Sequence, residues 1–540
     1  MHTETPESLV ESWRNRVAAH PDGVAVTYFD GQLTARELDE ESDALAVAFA
    51  GLGTEYGDRV GVYLQNLPQY AVTLLALWKL GASALILNPM YRRHELRRLI
   101  DDAGATGFVC STEDVPESLE TLNESTVRWM VSTSPLDYQT RNDPRVLPTA
   151  PTVPETAPQG DLVDLVAAHR GQRPGEITLT RDDVALLTYT SGTTGPPKGA
   201  MNTHGNLLAV TSTFGQWAGI GPGDVVFAMA PLFHITGAVV NAAVALLSGA
   251  TLALSGRFHP EVALETFAER GVTFTIGSIT AYNAIAALPH AGVEHFVTAE
   301  RLYSGGAPIP PATVERFEER FGRYIHNGYG MTETSSAVIA VPPGRRAPVH
   351  QPSGTLSIGL PLPGLEARVL DPDGRPLPAG EQGELELTGP QVVPGYWRQA
   401  EATEQAMPAG RLRTGDVALI DEDGWVYLVD RLKDQINVSG YKVWPREVED
   451  ALYEHGAVRE VAVVGEPDDY RGESVVAYVS LVAGAQAAPE ELAGFARERL
   501  AAYKVPRRVV LLEDLPKTQT GKIRRNVLRE RADHPTKDRP

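Results

Sequence analysis

The stretch Leu186-Leu-Thr-Tyr-Thr190-Ser191-Gly192-Thr193-Thr194-Gly195-Pro196-Pro197-Lys198-Gly199 runs from an apolar, strand-like segment into a loop dense in hydroxyls and glycines. Phosphate oxygens are bound by N–H groups that can approach closely, by hydroxyl donors and by a cation, and this loop offers all three. It is not a Walker A loop, because Pro197 stands where the second glycine would be and Gly199 where a Mg²⁺-binding Ser or Thr would be. A plain surface turn is the alternative; the whole string directly after an apolar strand points instead to a polyphosphate. No HExxH, GxSxG or paired Cys/His spacing occurs, so zinc hydrolysis and serine esterase chemistry have no support.

Composition narrows the ligands further. The 48 basic and 69 acidic side chains leave a formal charge of -21, which would repel a nucleic-acid backbone, so no nucleic-acid partner is expected. Such a surface also repels free polyphosphates at long range, so a site for them needs local cations and backbone donors. Cys110 is the only cysteine, which excludes an intrachain disulfide and a CxxC redox pair; in Gly-Phe-Val-Cys-Ser it reads as inert packing at the end of a buried strand. MHTETPESLVESW has neither a basic n-region nor a long apolar run, and no stretch approaches the ~20 apolar residues of a spanning helix, so a soluble cytoplasmic protein is expected.

At 540 residues the chain should form more than one packed unit. From Val24 to about Val109, strand-like runs (Val24-Ala-Val-Thr-Tyr, Arg59-Val-Gly-Val-Tyr-Leu) alternate with helical patterns such as Pro68 to Leu80, a rhythm that predicts βαβ units and a parallel sheet. Val146 to Glu176 has five prolines and little periodicity and reads as a surface connection. The α/β rhythm resumes between Val184 and Leu370, then gives way to short strands and Gly/Asp turns, predicting a β-rich subdomain over about 365–430. The polar Asp430-Arg-Leu-Lys433 is the candidate hinge, ending a domain over 1–430. Beyond it a helix over Pro445 to Glu454, strands over Val458 to Gly465 and Ser474 to Leu481, a helix near Pro489 to Ala502 and a basic tail form a small mobile α+β domain over 434–540.

With the loop at Thr190 in place, the sequence resembles the adenylate-forming superfamily of acyl-CoA synthetases, luciferases and peptide-synthetase adenylation domains. The resemblance runs from about residue 10 to about residue 528 and rests on further motifs in the family's order. These are Tyr303-Ser-Gly305-Gly306-Ala307-Pro308, Asn327-Gly328-Tyr329-Gly330-Met-Thr332-Glu333, Arg413-Thr-Gly-Asp416, Asp430-Arg431-Leu-Lys433-Asp434-Gln-Ile-Asn-Val-Ser439-Gly440-Tyr441-Lys, and Pro516-Lys517-Thr-Gln-Thr-Gly521-Lys522. Gly305 and Gly306 would let main chain lie flat against a planar base, and Tyr329 offers a ring face worth ~0.5–1.5 kcal/mol in stacking, unless it is simply a core aromatic. Asn327 could exchange hydrogen bonds with adenine's amino edge, Thr332 could donate to the α-phosphate, and Glu333, a hard oxygen ligand, suits Mg²⁺. A lone Glu after a turn is usually only solvated; the metal role is what the resemblance implies. The resemblance likewise assigns Asp416 to the ribose hydroxyls with Arg431 donating from the hinge side, whereas Asp416 alone could be an ordinary turn aspartate.

Lys522 lies in a basic tail that on its own reads as a solvated face; the resemblance makes it the adenylation lysine that bridges the substrate carboxylate and the α-phosphate. Lys504 and Lys517 are left as surface or CoA-phosphate contacts. His234, in Pro231-Leu-Phe-His-Ile-Thr-Gly237, could be a satisfied core residue or, as its match to the family segment implies, a gate between acyl pocket and pantetheine tunnel. The resemblance implies two half-reactions: a small-molecule carboxylic acid attacks MgATP to give acyl-AMP and pyrophosphate, then coenzyme A takes the acyl group. Between them the C-terminal domain turns about Lys433 to bring Ser439, Gly440 and Tyr441 to the CoA tunnel. Gly237, Ala238, Tyr282 and Gly305 are expected to wall an open apolar acyl pocket with no cation for a second carboxylate, which favours a fatty acid, with a benzoate- or cinnamate-type acid close behind. A stand-alone adenylation enzyme that loads a carrier protein, a luciferase-type oxygenase and a catalytically dead regulator are the competing readings, and a homodimer is left open.

Overall fold

The computed structural model describes residues 6–147, 156–190, 197–307, 309–351, 354–431, 434–438, 441–468, 471–518 and 522–533. Two large sheets make up the first four-fifths of the chain. One has six strands in the spatial order Trp129–Thr133, Gly107–Ser111, Arg59–Tyr63, Ser83–Ile86, Val184–Tyr189 and Gly199–Thr203, parallel except for the last. These strands are β-branched and apolar on both faces because helices cover both, the usual condition of a parallel sheet. Cys110 is buried in this sheet, where burial pushes its thiol pKa up, as expected of inert packing.

The second sheet has nine strands, with a parallel centre formed by Thr251–Leu254, Val225–Phe227, Phe274–Gly277, Arg301–Gly305 and Ile325–Met331. The helix Pro68–Lys79 touches strands of both sheets, and every one of its residues is buried. Its apolar residues go all round because it has no solvent face to keep polar. Its single cation, Lys79, donates to Asp39 and Asp43 on the helix Ala35–Gly51, both at 2.7 Å.

The β-rich stretch expected after Leu370 is a four-stranded antiparallel sheet of Glu366–Leu370, Gly383–Thr388, Leu412–Ile420 and Val426–Arg431. Past residue 433 a five-stranded sheet packs with the helices Pro445–Tyr453, Pro489–Arg497 and Arg525–Asp533. A large α/β body with a small C-terminal α+β part is thus the observed architecture. Two local readings need correction. The segment 146–176 is not all surface connection: Leu162–Ala168 is a helix, capped by Asp161 accepting from the Val163 amide at 2.9 Å, with Leu162 and Val166 buried against Ala35–Gly51. The late helix stops at Arg497 rather than near Ala502. Among the described residues no helix is long and apolar enough to cross a membrane.

Candidate active site

Four of the motifs meet at the carboxyl ends of the central strands, where open α/β sheets bind ligands. Arg301–Gly305 and Ile325–Met331 run side by side, so that Ser304 pairs with Asn327 and Gly305 with Gly328, and Gly306 and Ala307 follow at the rim. Beyond Tyr329 the register against Ser336–Ala340 slips by one residue. Gly330 sits in that bulge with no room for a side chain, since a Cβ would come within 1.8 Å of the Ser336 carbonyl. Ser335 and Ser336 carry φ of 53° and 108°, so the turn that follows Tyr329 is held in a sparsely populated conformation.

That turn, Thr332–Thr334, is fixed from the six-stranded sheet. The buried Asn202 amide donates to the Thr332 carbonyl and to Ser335 Oγ, both at 3.0 Å, and Thr334 Oγ1 donates to the Ser336 carbonyl at 2.7 Å. Glu333 is then buried against Tyr396, whose hydroxyl donates to its Oε1 at 2.7 Å, while the Val393 amide donates to its carbonyl at 2.9 Å. Burial and the Glu333 carboxylate raise the Tyr396 pKa, keeping the phenol a donor. Tyr396 is brought there by backbone pairing with Ala200, and the Lys198 ammonium lies 4.9 Å from the centre of its ring.

Thr190 and Lys198 close the neck of the hydroxyl-rich loop: the Thr190 amide donates to the Lys198 carbonyl at 2.9 Å and the Lys198 amide to Thr190 Oγ1 at 3.4 Å. Ser191, Gly192, Thr193, Thr194 and Gly195 lie outside the described residues, as do Lys433, Ser439 and Gly440. The loop neck, Lys198, Tyr396 and Glu333 thus form one side of the site. Among the described residues no three His, Cys, Asp or Glu groups cluster as a metal cage. A single carboxylate such as Glu333 fits Mg²⁺, which takes one or two carboxylates and fills its octahedron with phosphate oxygens and water.

On the other side Tyr329, half-buried, donates to Asp416 Oδ2 at 2.7 Å, and Asp416 faces Arg431 across adjacent strands. The ring of Tyr329 is thereby oriented by the residue proposed from sequence for the ribose. Asn327 is 2 % exposed, and one N–H of its side-chain amide donates to the Ser357 carbonyl at 3.3 Å.

Lys522 reaches this site from the far end of the chain. It lies over Gly306, where a Cβ would come within 3.1 Å of its Cε and 3.6 Å of its Nζ. Its main chain is tied back to Thr518, whose amide donates to the Lys522 carbonyl at 2.6 Å while the Lys522 amide donates to Thr518 Oγ1 at 3.0 Å. His234 is near enough to feel the charge: burial first, then the Lys522 ammonium, lowers its pKa to about 3. The Thr236 amide donates to His234 Nδ1 at 3.3 Å, which places the proton of the neutral ring on Nε2. Lys517 and Lys504 are engaged elsewhere, Lys517 with Glu460 at 2.8 Å and Asp514 at 3.2 Å, Lys504 with Glu447. Tyr441 is 60 % exposed and stacked on Tyr503 at 4.9 Å.

The expected acyl-pocket walls are corrected. Gly237 opens a π-helical stretch, Gly237–Ala243, buried throughout; a Cβ on it would fall 2.0 Å from the Pro231 carbonyl oxygen, so its lack of a side chain serves packing and not an open lumen. Ala238 is buried in the same core. Tyr282 is fully buried, donating to the Tyr303 carbonyl at 2.8 Å with its ring edge-on to Phe317. Gly305 and His234 alone of that set are partly exposed.

Comparison with known proteins follows the same lines. Residues 13–397 match the family model of AMP-binding enzymes and residues 447–522 that of the AMP-binding enzyme C-terminal domain. A long-chain-fatty-acid–CoA ligase of Escherichia coli O6:H1 is 34% identical over 97% of this chain and 95% of its own. A feruloyl-CoA synthase of Amycolatopsis sp is also 34% identical, over 96% of this chain and 98% of its own. Crystal structures of MatB from Rhodopseudomonas palustris, each covering 97% of this chain and 98% of its own, superpose with a TM-score of 0.86 when ATP-bound (29% identity) and 0.78 when apo (30% identity).

Proposed function

We propose, from the premise that this chain belongs to the AMP-binding enzyme family and is an AMP-forming acid–thiol ligase using ATP and coenzyme A, that it makes the CoA thioester of a fatty acid in two steps separated by a turn of its C-terminal domain. The observation that carries this is Lys522 over Gly306 and near His234, in a chain that also gathers Lys198, Tyr396 and Glu333. In the first step a carboxylate oxygen bonds to the α-phosphorus of ATP and the bond to pyrophosphate breaks. Two anions must approach each other, and the Lys522 ammonium offsets their repulsion. The loop from Thr190 to Lys198 holds the leaving polyphosphate, Thr332 donates to the α-phosphate, and Tyr329 with Gly305, Gly306 and Ala307 sandwiches the base. Mg²⁺ held by Glu333 would neutralise phosphate charge. In the second step the CoA sulfur bonds to the acyl carbon and AMP leaves.

The closer superposition on the ATP-bound than on the apo form of the same relative supports a geometry set for the first step. The exposure of Tyr441 supports a second geometry in which residues 439–441 come in about the hinge at Lys433. A neutral His234 favours an acid without a second charge. An aromatic acid is the second reading, favoured by a feruloyl-CoA synthase as similar as the fatty-acid ligases. We place the enzyme in the cytoplasm, where its three substrates are available. The test is turnover on a panel of straight-chain and ring acids with Mg²⁺, ATP and CoA. AMP and pyrophosphate are expected, with kcat/KM highest on a fatty acid. ADP would overturn the reaction, and a higher kcat/KM on a cinnamate would overturn the acid.

A further inference from the structure

Behind Lys522 lies a charge cluster that the reaction itself does not use. Arg525, three residues after Lys522 and the first of the helix Arg525–Asp533, meets three carboxylates: Glu449 at 2.6 Å, Asp430 at 3.2 Å and Asp434 at 3.3 Å. Asp434 also accepts from Arg529 at 2.8 Å. These partners differ in which part of the chain they belong to. Glu449 sits on the helix Pro445–Tyr453 and Asp434 just past the hinge, so both travel with Arg525. Asp430 is paired with Val417 in the four-stranded sheet of the large body, before residues 432–433. Its Oδ2 accepts from the Arg446 amide in the first turn of Pro445–Tyr453 at 2.9 Å, and its side chain is 3 % exposed.

Asp430 is therefore a carboxylate of the large body holding two donors of the C-terminal part, one of them on the segment that carries Lys522. A turn about the hinge moves those donors relative to a buried carboxylate, while the Asp434 and Glu449 links go along unchanged. We propose that Asp430 and Arg525 form an ion-pair latch across the hinge that positions Lys522 over the nucleotide site and whose release gates passage to thioester formation. This rests on the two-step reading above. Asp430 and Arg525 are positioning residues and touch no substrate. Ion pairs suit the task because each partner is re-solvated by water on opening, whereas an apolar interface of the same strength would expose surface that water does not welcome.

The experiment uses the full chain with Asp430→Asn, Asp434→Asn, Arg525→Lys and the double variant Asp430→Asn/Arg525→Lys. Single-turnover rates of acyl-AMP formation, and of thioester formation from synthetic acyl-AMP and CoA, are measured for each. In rapid exchange the ratio of the two rates follows the ratio of the two conformers. Asp430→Asn should raise the thioester-to-adenylation ratio about tenfold, the scale of one lost charge-assisted hydrogen bond. Arg525→Lys should shift it less in the same direction, and the double variant no more than Asp430→Asn. Asp434→Asn should leave it within about twofold. An unchanged ratio in Asp430→Asn, or an equal shift in Asp434→Asn, would overturn the latch. Spin labels at Glu404→Cys and Glu490→Cys, both exposed, report the conformers without chemistry, and the buried Cys110 limits background labelling. A second distance should grow in Asp430→Asn; a single distance identical to that of the parent would contradict the latch whatever the enzyme's substrate, whereas failure of the parent to make acyl-AMP would contradict only the function.

Discussion

Two buried polar clusters serve this enzyme, and they are built from different bonds. Around Glu333 the ties are to main chain and neutral groups: Asn202 to the Thr332 carbonyl, Tyr396 to the carboxylate, the Val393 amide to the Glu333 carbonyl. All of these anchor in the large body, on strands or their immediate continuations. Around Arg525 the ties are charge to charge, and one of them crosses the hinge. The first construction fixes Glu333 and the turn that carries it by neutral hydrogen bonds within the large body. The second can exchange one ionic partner for water when the parts separate, since charges removed from water in the closed form regain their hydration on opening. On the proposed alternation, which part stays fixed and which turns follows from bond type as much as from fold.

The contrast can be broken most forcefully at Lys522, where the C-terminal part meets the large body. Lys522→Ala should lower the single-turnover rate of acyl-AMP formation by ~10²–10³, the usual cost of one preorganised group that offsets transition-state charge. A smaller effect is expected on the rigid side. Tyr396→Phe keeps the ring beneath Lys198 but removes the hydroxyl that aims Glu333, so adenylation should fall about tenfold and demand more Mg²⁺ for half-maximal rate, roughly the worth of one hydrogen bond to a charged group. A Mg²⁺ titration of both proteins checks it; unchanged Mg²⁺ dependence would release Glu333 from the metal role.

The contrast also says which features could be read from the chain. The order of the glycine and hydroxyl motifs was enough for the family, because close backbone approach is a local demand on consecutive residues. The four-stranded sheet was legible as well, since its Gly/Asp turns recur at regular spacing. Tyr396 was missed, although it touches both Lys198 and Glu333, because Val-Val-Pro-Gly-Tyr carries no pattern of its own and the contact spans 63 residues of chain. Asn202 meets Thr332 across 130 residues and gives no local signal either. Gly237 and Tyr282 were misread for the opposite reason: smallness and aromaticity beside a candidate His234 look the same in sequence whether they open a pocket or fill a core. The helix Leu162–Ala168 is two turns long, too short for its period to stand out among flanking prolines.

The smallest effect concerns the fixed body and pH. His204 is buried, accepts from the Leu9 amide through Nδ1 at 3.2 Å, and has its pKa lowered by burial to about 4. Unfolded chains bind that proton near the ordinary 6.5 while the folded one does not, so stability is full above pH 6.5 and falls as pH drops toward 4, by up to ~1.4 kcal/mol per pH unit for this group. Denaturant midpoints across that range should be steeper in the parent than in His204→Gln. Parallel lines would mean that the ring is protonated in the fold.

The most direct test of the alternation between a fixed site and a movable lysine is thioester formation by Lys522→Ala from preformed acyl-AMP and CoA. On the proposed alternation Lys522 serves the first step alone, so the variant that has lost adenylation should make thioester from the adenylate at a rate within a few-fold of the parent's. A loss in this step as deep as in adenylation, in a folded protein, would contradict the alternation and leave Lys522 as part of one site serving both steps.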